Sequence, residues 1–191
     1  MKYPNDYIYK YKKYEIPKKD FYNKKVLFVF GDSWTNNRYV DEPKKHWCYL
    51  LKEKLNYDLV VNISDNYDSN YEIFDCVKKT LSDKDYPMNQ QSYLNKLKEF
   101  KVVVDWSTPM RDSTSVAEMY SPWNTATIPD LDSKEPNTKL WLDYVDKWFR
   151  VEMYSYDTQK RILFLQEFFN HNKIDWYMFM GFTPLVEKQF H

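Results

Sequence analysis

Five consecutive apolar residues, Val26-Leu27-Phe28-Val29-Phe30, stop at Gly31, and this run constrains the fold more than any other stretch. A strand with one wet face alternates apolar and polar residues. A continuous run needs cover on both faces, the situation of a central strand in a parallel sheet. Segments 58–62, 100–106 and 174–180 read as further strands, the third around Val102-Val103-Val104. Between them the spacing is helical. Pro43 suits the first turn of a helix over 44–55, where Trp47, Leu50, Leu51 and Leu55 share one side. Ser69 suits the N-cap of a helix carrying Ile73, Phe74, Val77 and Leu81. A short helix is expected at 90–98, and a long one over 137–170 with a break near 154–157. Strand and helix in alternation imply an α/β domain with a parallel sheet and helices on both faces. Ligands of such sheets bind at the carboxyl ends of the strands. Here those ends are Gly31-Asp32-Ser33, Asn62-Ile63-Ser64, Ser107-Thr108-Pro109 and Gly181-Phe182-Thr183.

The length of 191 residues fits one domain, read as residues 25–191. Residues 1–24 mix Tyr, Lys and Pro without a sustained period and read as an extended arm, packed by its aromatics on the domain or on a second copy. Pro109, Pro122, Pro129 and Pro136 punctuate a long loop after the third strand, and long loops in compact domains tend to be functional. The 28 basic and 28 acidic residues cancel, which removes the field that draws proteins to nucleic acid or anionic membranes. The first residues lack the apolar core of a signal peptide, and no stretch is long and apolar enough for a membrane span. Neither nucleic acid nor a membrane is therefore expected as a partner.

Cys48 and Cys76 fall in helical segments and read as free buried thiols of a reducing compartment. His46 and Cys48 do not have zinc-ligand spacing, so no metal is expected, and no cofactor. With only 2 Gly in the chain, a site must be built mainly from side chains. A nucleotide binder would need a glycine-rich phosphate loop after the first strand, and Gly31 is the only glycine there. The 18 Tyr, 7 Trp and 12 Phe can supply an interface or a sugar-stacking surface, although the Tyr, Lys and Asn excess also fits AT-rich codons.

Gly31-Asp32-Ser33 puts a hydroxyl just past a buried strand, near a helix amino terminus whose N–H groups suit an oxyanion. A Ser in that place can equally cap a helix or a turn. Further along stand Val60-Val61-Asn62-Ile63-Ser64 with Asp68-Ser69-Asn70, then Val102-Val103-Val104-Asp105-Trp106-Ser107-Thr108-Pro109-Met110-Arg111. In order and spacing these three blocks resemble the SGNH (GDSL-type) hydrolases, the phage-encoded type in particular, over about residues 25–183. The resemblance implies a three-layer α/β/α, flavodoxin-like sheet and a serine esterase that needs no metal. Ser33 would be the nucleophile, and a His near the carboxyl terminus its base, with His191 the candidate or a neighbouring chain the supplier. Gly31, Asp32, Asn70, Ser107 and Arg111 would form the oxyanion and substrate surroundings, with Asp32 fixing the turn and Arg111 holding an anionic group or pinning the loop. His46 and His171 are expected in structural roles, the first half-exposed at a helix start and the second at a helix end.

Three positions depart from the family pattern. Tyr67 stands where the second block carries its Gly, Ser107 where the third carries Asn, and Lys188 where an Asp would precede His191 by three. Two functional expectations follow. One is an esterase that removes acyl groups from a glycan or a similar small ester. The other is a degenerate domain of the same fold that serves as a structural or binding component among phage virion proteins. The chain is expected in the host cytoplasm or assembled into a virion.

Overall fold

The computed structural model describes residues 4–10, 21–32, 35–36, 42–64, 70–81, 93–107 and 151–180. Its strands are β1 (Tyr7–Lys10), β2 (Lys25–Gly31), β3 (Leu59–Ser64), β4 (Glu99–Trp106) and β5 (Asp175–Met180), and its helices are α1 (Trp47–Leu55), α2 (Asn70–Leu81) and α3 (Val151–His171). The strands make one sheet in the order β1-β3-β2-β4-β5, parallel at every pairing. The chain is thus an α/β protein with helices on both faces of the sheet.

The apolar run explains the layering. Its even positions, Val26, Phe28 and Phe30, join Val61, Ile63, Val102, Val104 and Trp106 beneath Ile73 and Val77 of α2 and Leu165 and Phe169 of α3. Its odd positions, Leu27 and Val29, join Val60 and Val103 beneath Cys48 and Tyr49 of α1. Every residue from Val26 to Gly31 is buried. From β2 the chain crosses through α1 to β3 on one side, then returns through α2 to β4 on the other. The carboxyl end of β2 is therefore a topological switch point, where neighbouring connections diverge and leave a crevice.

Three helical expectations change. The helix at 90–98 is, over its described part, a single 3-10 turn, Tyr93–Lys96. Asn23 N–H donates to Lys96 C=O and Lys98 N–H to Lys24 C=O, so the backbone groups that would extend a helix serve the start of β2 and β4 instead. The first helix begins at Trp47, after a 3-10 turn at Pro43–Lys45. The break expected near 154–157 is absent, and α3 is continuous. On its wet side Tyr156 is exposed and Asp157 pairs with Lys160, while Thr158 turns inward. Residues 137–150 lie outside the described residues.

A chain so poor in glycine still makes left-handed turns. Asn23, Asn56 and Lys173 carry positive φ. Asn tolerates that region through its short polar side chain. Asn56 and Lys173 follow α1 and α3, and Tyr57 N–H to Lys52 C=O and Ile174 N–H to Phe169 C=O close the helix ends.

The extended segment ahead of β2 supplies a strand that its composition does not announce. Residues 7–10 pair with Val60 to Ile63 and form the sheet edge. Burying the Tyr7 ring, 2% exposed, is worth about 2 kcal/mol. Asp6 pairs with Lys52 of α1, which also meets Glu53 at 2.7 Å and lies over the Tyr49 ring. A half-open ion pair contributes about 1 kcal/mol or less, so the ring is the main anchor. Burial pushes the Asp6 carboxyl up, but the hydrogen bond and charge of Lys52 outweigh it and hold the carboxyl below its ordinary value.

A depressed carboxyl contributes stability in full above its unfolded pKa and loses it as pH falls through the folded value. Asp6→Asn is expected to cost about 1 kcal/mol at pH 7, with the difference from wild type closing below about pH 4. Thermal unfolding of both proteins at pH 7 and pH 3 measures it.

Candidate functional site

The switch point is lined by polar side chains that interrupt the apolar pattern on the α1 face. Reading each strand toward its carboxyl end on that face, Val29 gives way to Gly31, Val60 to Asn62 and Ser64, and Val103 to Asp105. Asn62, Ser64 and Asp105 are all buried, as are Asp32, Thr35, Asn36 and Ser107 in the adjoining loops. Buried polar groups require partners, and Asp32, Thr35, Asn62, Ser64, Asp105 and Ser107 find partners among one another.

Beyond Gly31 the chain turns back on itself, with the N–H groups of Thr35 and Asn36 both donating to the Asp32 carbonyl at 3.1 and 3.0 Å. This one-turn reversal is tied to both neighbouring strands. On the β4 side, Thr35 Oγ1 donates to Asp105 Oδ2 at 2.8 Å and Ser107 Oγ donates to Asp32 Oδ2 at 2.7 Å. On the β3 side, Asn62 Nδ2 donates to the Thr35 carbonyl at 2.7 Å. Asn62 Nδ2 also donates to the Tyr7 hydroxyl at 2.8 Å, and Asn62 Oδ1 accepts from Ser64 Oγ at 2.7 Å. The absence of a side chain at Gly31 makes the seating possible. A Cβ there would lie 2.7 Å from Thr35 Cβ and 3.0 Å from Asp105 Cβ, and would overlap Thr35 Oγ1.

His46 sits on the same face, buried rather than half-exposed as its sequence context suggests. It is the N-cap of α1, its Nδ1 accepting from Cys48 N–H at 3.3 Å. With Nδ1 an acceptor, the Tyr7 hydroxyl 3.4 Å away donates to it and the ring proton resides on Nε2. Burial lowers the His46 pKa to about 4, so the imidazole is neutral at physiological pH. Burial, with the Asp105 carboxylate adding to it, pushes the Cys48 thiol well up, and the sulfur remains a thiol. Cys48 and Cys76 are free and buried.

Of the residues singled out in the sequence, Gly31, Asp32 and Ser107 meet at this point. The Ser107 hydroxyl is turned into the Asp32 carboxylate. Asn70, fully buried at the start of α2, donates from Nδ2 to Thr158 Oγ1 at 3.2 Å and links α2 to α3. His171 is exposed at the carboxyl end of α3, near the opposite end of the sheet. Ser33, Tyr67, Arg111 and His191 lie outside the described residues. The sequence gives no role to Thr35 or Tyr7, and it marks Asn62, Ser64 and Asp105 only as parts of strand ends and motif blocks, without a role for each side chain. The signal for three of them was legible: Asn62 and Ser64 in β3 and Asp105 in β4 are polar at positions whose period-two neighbours are core.

Among the described residues no group of three or more His, Cys, Asp or Glu is placed to hold a metal ion, and no helix is long and apolar enough to cross a membrane. No protein-family model matches this chain, and no curated protein matches it.

Two outcomes test this geometry. Gly31→Ala is expected to destabilise the fold by about 2 kcal/mol, the scale of overpacking a rigid core, measured as a lower urea midpoint. The lowered His46 pKa has a sign of its own. The unfolded imidazole takes its proton near pH 6.5 and the folded one only near 4, so stability is full above pH 6.5 and falls by about 3 kcal/mol on descending to pH 4. His46→Asn, which keeps an N-cap acceptor, should flatten that slope in denaturation titrations.

Proposed function

We propose that this chain is a serine hydrolase of the SGNH type, with Ser33 as nucleophile and an acyl ester, such as an acylated glycan, as substrate. The observation that carries the reading is the Asp32–Asn36 reversal at the switch point, held from β3 by Asn62 and from β4 by Asp105 and Ser107. These ties hold Asp32 and Thr35 from both sides, and a nucleophile needs a fixed setting more than reactivity of its own. The motif blocks around Gly31, Asn62 and Asp105 support the same assignment, as does the order of the sheet, taken here as the flavodoxin-like core of that family with β1 added at its edge.

On this reading Ser33 Oγ adds to the ester carbonyl while a base, assigned to His191, takes its proton. The tetrahedral oxyanion collapses to an acyl-serine as the proton passes to the leaving alcohol, and water repeats the sequence to release the acid. Asp32 orients the turn, and Arg111 would face an anionic part of the substrate.

A second reading has its own support. His46 Nδ1 is occupied by Tyr7 and Cys48, its basicity is suppressed by burial, and His171 lies at the far end of the sheet. The Ser107 hydroxyl points to Asp32 rather than standing as an open donor. These features favour a domain that has kept the turn but serves as a binding or structural part of a phage particle. Hydrolysis of p-nitrophenyl acetate separates the two. The esterase reading expects a rate that falls about a thousandfold or more in Ser33→Ala and comparably in His191→Ala. A wild-type rate no higher than that of Ser33→Ala would establish the second reading.

A further inference from the structure

We infer that Tyr7, carried by the N-terminal strand, is a positioning residue for the Asp32–Asn36 turn and acts on it through Asn62. The inference rests on reading that turn as the one that presents Ser33.

Asn62 is fully buried in the middle of β3, and its amide is committed at both ends. Nδ2 donates to the Tyr7 hydroxyl at 2.8 Å and to the Thr35 carbonyl at 2.7 Å, and Oδ1 accepts from Ser64 Oγ at 2.7 Å. The amide group is planar, so the direction of one N–H fixes the direction of the other. Tyr7 therefore sets where the second N–H points, and that N–H is the tie between β3 and the turn. Tyr7 is itself oriented by donating to His46 Nδ1 and by ring contacts with His46 and Tyr49, at centroid distances of 6.4 and 6.2 Å. The chain of donors has one sense throughout: Ser64 to Asn62, Asn62 to Tyr7 and Thr35, Tyr7 to His46.

Without the Tyr7 hydroxyl, the nearest remaining acceptor for that amide hydrogen is Cys48 Sγ, 3.7 Å from Nδ2. A thiol sulfur is a weak acceptor. The amide would rotate to improve that contact, and the same rotation carries its other hydrogen away from the Thr35 carbonyl. In a buried site, losing alignment with a good acceptor is costly because no water replaces it. The segment ahead of β2 thus reaches the candidate site through two hydrogen bonds.

Tyr7→Phe removes the hydroxyl and keeps the ring. In the full chain, amide hydrogen exchange followed by NMR is expected to accelerate about tenfold at Thr35 and Asn36, the amides that close the turn on Asp32, while Val29 and Val61 stay within about twofold. Asn62→Asp, which removes both donors, should accelerate the same two amides at least as much. Tyr7→Phe combined with Asn62→Asp should add nothing further, since Tyr7 acts through Asn62. Equal acceleration across β2 and β3, no acceleration at Thr35 and Asn36, or additive effects in the double variant would each overturn the inference. For ester hydrolysis, Tyr7→Phe is expected to lower kcat about tenfold with KM unchanged, and an unchanged kcat in an active wild type would also overturn it. A wild type without Ser33-dependent hydrolysis sinks the esterase reading by itself, and the exchange pattern still decides whether Tyr7 positions the turn.

Discussion

Thr35 rests on the bare backbone of Gly31 and gives its hydroxyl to Asp105, and the arrangement at the end of β2 depends on that contact. At a switch point the strand leaves the sheet where its neighbours' connections part. Seating Thr35 against the strand brings the turn down onto the sheet. Its carbonyl then comes within reach of Asn62 and the Asp32 carboxylate within reach of Ser107. A side chain at position 31 would hold the turn away, and every other tie would lengthen with it.

The consequence is a polar layer inside an α/β core. Networks of this kind confer little net stability, because each buried donor and acceptor must first be stripped of water. What they supply is definition: when every member is satisfied, only one geometry keeps them all paired. The layer spans β1, β3, β2 and β4, while the apolar face beneath α2 and α3 carries most of the burial energy. Stability and positioning are thereby assigned to opposite faces of one sheet. The neutral imidazole of His46 belongs to the positioning side, since its Nδ1 can accept from Cys48 and Tyr7 only while unprotonated.

This division clarifies the histidines. A neutral, buried, doubly engaged imidazole is a good structural acceptor and a poor proton shuttle, because its basicity has been lowered by the same desolvation that makes its hydrogen bonds strong. Chemistry at position 33 would have to draw its base from another part of the chain, whereas a binding role would need none.

Much of this architecture follows from residue order alone. The five apolar residues before Gly31 require cover on both faces, and the alternation of strand-like and helix-like segments requires parallel crossovers, so the α/β class and the importance of the β2 terminus are local properties of the sequence. The period-two change from Val60 to Asn62 and Ser64, and from Val103 to Asp105, also marks polar groups at those strand ends. What no local pattern contains is partnership. That residues 7–10 add a strand beside β3, that Tyr7 meets His46 and Asn62, and that Asn70 meets Thr158 depend on contacts between residues dozens of positions apart. Such contacts form only when the strands come into register and the helices pack over them. Propensity and periodicity act over a few residues, whereas hydrogen-bond geometry across a sheet is decided by the packing of all its layers at once.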